Sequence, residues 1–138
     1  MANQLYNFFK QQLCSGAIDL YNDTLKIMLV SGSYSFSQSH KFTGDISSEI
    51  SSSNYTKGGK EVTNTSVYLN SITNEVFLSG TNVSFSGITS VVNFAVLYRS
   101  GATNDTSYLI AQVDIGSNTV NNATLNINWN ADGIIGLL

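Results

Sequence analysis

The spacing of apolar residues changes period once along the chain, and the change divides the molecule. At the start, Leu5, Phe8, Phe9 and Leu13 recur three and four residues apart, the rhythm of one helix face. Asn3 can cap that segment and Gly16 can end it, so the spacing predicts an amphipathic helix over residues 3–15. From Thr24 the period is two: Leu25, Ile27 and Leu29 alternate with Lys26, Met28 and Val30 until Ser31-Gly32-Ser33 breaks the run. Residues 35–53 form a polar excursion in which Phe42, Ile46 and Ile50, four apart, predict one short helix over 43–50. Beyond Tyr55-Thr56-Lys57-Gly58-Gly59 the alternation returns in runs over 62–69, 75–78, 82–85, 91–98, 107–115 and 123–129, separated by Gly, Asn, Asp and Ser.

Strands at this spacing without interleaved helices predict antiparallel pairing. The expected fold is mainly β, an antiparallel β-sandwich or barrel-like domain with an N-terminal α-helix, and 138 residues suit one domain spanning 1–138. The run 91–98 is the most apolar and should lie centrally. Leu25, Ile27, Leu29, Phe94, Val96, Leu125, Ile127 and Trp129 are the expected core.

Charge alters the picture more than hydrophobicity does. Only 11% of residues are charged and the net charge is -3, while Ser, Thr and Asn make up roughly a third of the chain. No basic stripe is available to neutralise phosphates, so no nucleic acid is expected, and no apolar run approaches the length of a membrane span. A signal-like layout is missing from Met1-Ala2-Asn3-Gln4 and Cys14 is alone, which predicts synthesis in a cytoplasm. The Asn-x-Ser/Thr triplets at Asn22, Asn54, Asn64, Asn82, Asn104 and Asn122 then follow from composition alone. Proline is absent, which leaves strand edges without one of their usual protections. Low charge and unprotected edges together predict a homo-oligomer or a protein docked on a larger shell.

Candidate chemistry is sparse. With Cys14 and His40 as the whole soft-ligand inventory, no zinc site is expected and no cofactor is called for. His40 and Asp45 lack a nucleophile-elbow serine, so no catalytic residue is assigned and the chain is expected not to be an enzyme. Gly58-Gly59-Lys60 lacks the flanks of a phosphate loop and reads as a tight turn. Asn128-x-Asn130-x-Asp132-Gly133 opens like a calcium loop, but its twelfth position would be residue 139, so no metal is expected there. Tyr34, Phe36, Tyr55 and Tyr108 have no position that forces burial, and with Tyr6, Lys10 and Phe42 they are the candidate protein contacts, while assembly is expected to draw on the helix and the excursion.

The order of segments carries a resemblance. The Asn3-Gln4-Leu5-Tyr6-Asn7-Phe8-Phe9 opening, Asp23-Thr24-Leu25-Lys26-Ile27-Met28-Leu29, His40-Lys41-Phe42-Thr43-Gly44-Asp45-Ile46 and Asn54-Tyr55-Thr56-Lys57-Gly58-Gly59-Lys60 come first. Ala95-Val96-Leu97-Tyr98, Leu125-Asn126-Ile127-Asn128-Trp129 and Asp132-Gly133-Ile134 follow. Together, over nearly the full length, they resemble a family of small tailed-bacteriophage virion structural proteins. Asn54 departs from that pattern, standing where a glycine is expected. The resemblance implies a non-enzymatic capsid decoration or head-fibre-associated protein in the virion, whose partners are the major capsid protein or head-fibre and neck proteins. The alternatives are a neck or tail component and a carbohydrate-binding β-sandwich module.

Overall fold

A computed structural model describes residues 3–137. It is mainly β, with strands β1 (Asn3–Leu5), β2 (Leu25–Val30), β3 (Lys60–Glu61), β4 (Ser66–Asn70), β5 (Glu75–Ser79), β6 (Val83–Arg99), β7 (Tyr108–Ile127) and β8 (Ile135–Leu137), and one helix α1 (Asn7–Cys14). All pairings are antiparallel and form two sheets, β1-β7-β6-β2-β3 and β4-β5-β8, neither closed into a barrel. The arrangement is sandwich-like, and β6 lies at the centre of the larger sheet as its apolar composition requires.

The larger sheet is covered on both faces, which explains why β2 has few polar positions. Leu25, Ile27 and Leu29 point into a core shared with Phe9 of α1 and with Leu78 and Ile135 of the smaller sheet. Met28 and Val30 point the other way, into a second core with Tyr6, Tyr34, Ile46, Val96, Tyr98 and Leu109, roofed by the excursion. The excursion is tied to both edges of the sheet: Val30 bridges Glu49 on one side and Phe42 bridges Tyr108 on the other.

Several expectations are corrected. The helix begins at Asn7, not residue 3, because Gln4 and Leu5 pair with Gln112 and Ala111 in β1 and Tyr6 N–H continues the ladder to Ile110 O at 3.1 Å. Pairing with β7 satisfies alternate N–H and C=O groups of this segment, whereas a first helical turn leaves its N–H groups without partners. The short helix over 43–50 shrinks to a 3-10 turn, Thr43–Asp45. The run 62–69 splits: Val62 N–H bonds Leu25 O beside β3, and β4 begins at Ser66.

The four runs 82–85, 91–98, 107–115 and 123–129 are two long strands, β6 and β7, paired over their length with bulges. Apolar residues of β6 face the main core at Val83 and Phe85, then Ile88 and Val92, then Ala95 and Leu97. The phase flips twice, at the irregularities between Phe85 and Ile88 and between Val92 and Phe94. β6 carries one extra residue at the first irregularity and β7 two at the second, and the apolar side chains of β6 return to the same face beyond each.

Of the expected core, Leu25, Ile27, Leu29, Val96, Leu125 and Ile127 are buried. Phe94 and Trp129 are half-buried, one against each core. Trp129 lies just beyond the end of β7, where Nε1 donates to Thr81 O at 2.9 Å and its own N–H to Asn82 Oδ1 at 2.8 Å.

Candidate protein-contact surface

Three of the six expected contact aromatics are inside. Tyr6 is fully buried, and Tyr34 and Tyr55 nearly so. Their hydroxyls serve the fold: Tyr6 Oη lies 2.9 Å from Tyr34 Oη, which lies 2.9 Å from His40 Nδ1. Tyr55 Oη donates to Glu49 Oε2 at 2.7 Å and accepts Leu29 N–H at 3.1 Å. Burial drives the Tyr6 and Tyr55 hydroxyls far above the ordinary tyrosine range and raises Tyr34 as well. Tyr98, buried with Glu49 nearby, is pushed up to about 12. Sequence reasoning missed this because a polar loop hides the roof it forms over the second core.

The remaining candidates are half-buried or exposed. Phe36 tilts against Tyr6 at 4.9 Å between ring centroids. Phe8 packs edge to face on Phe42 and Tyr108 at 5.2 and 5.3 Å, and Phe42 tilts against Tyr108 at 5.9 Å, joining the excursion, α1 and β7, with Arg99 over the Tyr108 ring at 4.3 Å. Lys10 is exposed on α1. Asp45 fastens the start of the 3-10 turn: its carboxylate accepts the N–H groups of Lys41 and Phe42 at 2.8 and 3.1 Å, which hold it below the usual carboxylate range.

The exposed apolar surface lies elsewhere, on the smaller sheet. In the β4–β5 pairing Val67 faces Leu78 and Leu69 faces Val76, so these four share one side of the sheet. Leu78 closes the main core, but the side runs outward beyond it to Val67, Val76 and Leu69, the last 65% exposed. Leu13, Ile18 and Leu20 form the opposite wall, and between them lies an open apolar groove of about 450 Å³.

Two polar turns hold the rims in place. Asp19 Oδ1 accepts Tyr21 N–H at 3.0 Å and Oδ2 accepts the Asn22 amide at 2.7 Å, a set of bonds led by Asn22 that lowers the acid's proton affinity. That turn presents Tyr21, 64% exposed, to the groove. At the β4–β5 tip Asn70 Oδ1 accepts Ile72 N–H at 2.9 Å, and Asn74, with φ 58°, completes a turn that leaves Ile72 90% exposed. On the opposite side of the sheet Tyr68 stacks on Phe77 at 5.6 Å and its hydroxyl donates to Asp132 O.

A signal for this surface is present in the chain: from Thr63 to Asn74 no residue is charged, although four are large and apolar or aromatic. Among the described residues no group of three or more His, Cys, Asp or Glu is gathered as a metal site requires. Asn130 and Gly133 close a turn with an N–H to O distance of 2.9 Å, and no described helix is long and apolar enough to cross a membrane. In comparisons with known proteins the chain matches no family model, no curated protein and no solved structure.

Proposed function

We propose that this chain is a structural protein of a tailed-bacteriophage virion, acting by protein–protein contact as a capsid decoration or head-fibre-associated component. The observation that carries the contact role is the open apolar groove lined by Tyr21, Val67 and Val76, with Leu69 and Ile72 exposed on the same hairpin, in a chain with 11% charged residues. Apolar area of this kind, held in place by polar turns, is a docking feature more often than a surface accident. The virion assignment rests on the segment-order resemblance.

Binding of the purified chain to phage particles lacking it, followed by cryo-electron microscopy of the native particle, tests this. The expected result is density for the chain at repeated capsid positions, with binding weakened by Ile72→Lys. Density at the neck or tail would move the protein within the virion. Failure to associate with any particle, or to appear in one, would overturn the reading.

A further inference from the structure

We propose that β4 is a self-pairing edge, which joins two copies of this chain antiparallel about a two-fold axis near Tyr68. The product is one continuous sheet with three strands from each copy, in the order β8-β5-β4-β4-β5-β8. The inference shares with the reading above only the premise that this surface makes protein contacts.

Other strand edges of the molecule are protected. β3 is two residues long and both are charged, Lys60 and Glu61. β1 and β8 are each three residues long. The edge of β7 beyond Val113 carries Asp114 and turns irregular at Gly116 and Asn122, both at positive φ. Along the N-terminal half of β6, Asn54 Nδ2 donates to Gly87 O at 3.0 Å, Lys60 Nζ to Ser84 O at 2.6 Å, and Ser52 Oγ accepts Thr89 N–H at 3.1 Å. Charge, shortness, bulges and covering side chains are the usual devices against edge pairing.

β4 has none of them. Its five residues pair with β5 in unbroken register from Ser66↔Ser79 to Asn70↔Glu75, so the strand is regular, and β5 is its one neighbour in the sheet. Alternate N–H and C=O groups therefore point away from β5 along a straight, exposed edge.

Charge identifies the occupant as a second copy. A two-fold pairing sets an edge against itself, so every charge on it would meet a like charge, and such an edge must be neutral. No residue from Thr63 to Asn74 is charged. A partner selected by opposite charge would find nothing here to pair with. With Tyr68 on the axis, Val67 of one copy faces Leu69 of the other and Ser66 faces Asn70. The axis stands perpendicular to the sheet, so the Val67, Leu69 and Val76 sides of the two copies merge into one apolar strip.

Sedimentation equilibrium of the purified chain, with Leu69→Lys and Val91→Lys variants, tests the proposal. Leu69 and Val91 are both exposed, so neither substitution disturbs a core, and Val91 lies on β6 away from the edge. The wild type and Val91→Lys should be dimers, and Leu69→Lys should weaken dimerisation by more than about tenfold. In a Cys14→Ser background, Tyr68→Cys should cross-link to itself on oxidation, because residues facing each other across strands lie within the reach of a disulfide. A wild-type monomer, a dimer indifferent to Leu69→Lys, a dimer lost equally in Val91→Lys, or no cross-link at position 68 would each overturn it. A monomer that still binds particles would sink self-pairing and leave the virion reading standing. A dimer that ignores particles would do the reverse.

Discussion

The hydroxyls of Tyr6 and Tyr34 lie 2.9 Å apart in the second core, tying the residue that joins β1 to α1 to the start of the excursion. Tyr34 is the middle member of a chain of three, since its hydroxyl also lies 2.9 Å from His40 Nδ1. The two tyrosines are therefore not equivalent. Tyr34→Phe leaves the buried Tyr6 hydroxyl without this partner and should cost about 1–3 kcal/mol. Tyr6→Phe leaves Tyr34 bonded to His40 and should cost about 1 kcal/mol. Urea midpoints of the two variants check the order.

Stability should fall in alkali. Below pH 10.0, the ordinary tyrosine value, Tyr98 is neutral whether folded or unfolded, and its full contribution is present. Between there and about 12 the unfolded chain releases the phenolic proton while the folded chain holds it, so the folded state loses ground. The slope is about 1.4 kcal/mol per pH unit for each such group, and Tyr6 and Tyr55, raised further, continue the loss. Denaturant unfolding across this range should show a steep decline, shallower in Tyr98→Phe.

Two glycines with positive φ should respond differently to alanine. A Cβ on Gly59 would stand 1.8 Å from Ile27 O, whereas one on Gly16 would meet nothing within 4 Å. Gly59→Ala combines backbone strain with a collision against β2 and should cost more than about 3 kcal/mol. Gly16→Ala carries strain alone and should cost about 1 kcal/mol. Thermal unfolding of the pair distinguishes them, and equal losses would show that the Gly59 turn can move away from the strand.

Trp129→Ala should cost about 1–3 kcal/mol, less than removal of a fully buried tryptophan, because the ring is half-exposed. Trp129→Phe keeps part of the packing and loses the bond to Thr81 O, for about 1 kcal/mol. As the single tryptophan, Trp129 also reports its own environment by fluorescence, and a red-shifted native emission would agree with its exposure.

The site is less legible than the fold. The hydrophobic side of β4–β5 is visible as a neutral alternating run, but nothing local tells a core-facing side from a solvent-facing one. Val67 and Leu78 sit opposite each other in the same sheet, yet Leu78 is buried and Val67 exposed. The difference is only how far the other sheet and α1 extend over them. The inverse holds for Tyr34 and Tyr55, whose serine-rich surroundings suggest solvent while the folded excursion encloses them.

What the sequence by itself determines is therefore the local period. The two-residue alternation of β2 and the three- and four-residue spacing around Phe9 are properties of a few neighbouring side chains, and they emerge as strand and helix. Tertiary structure decides what depends on a distant partner. Asn3–Leu5 is a strand because Ala111–Val113 lies beside it, although its spacing also suits a helix. Gly87, Gly116 and Asn122 fall within paired strands, although left-handed residues serve turns equally well, because only the facing strand determines whether an extra residue ends a ladder or bulges within it. Periodicity is carried by contacts within one segment, whereas pairing and burial are properties of two segments that meet only when the chain folds.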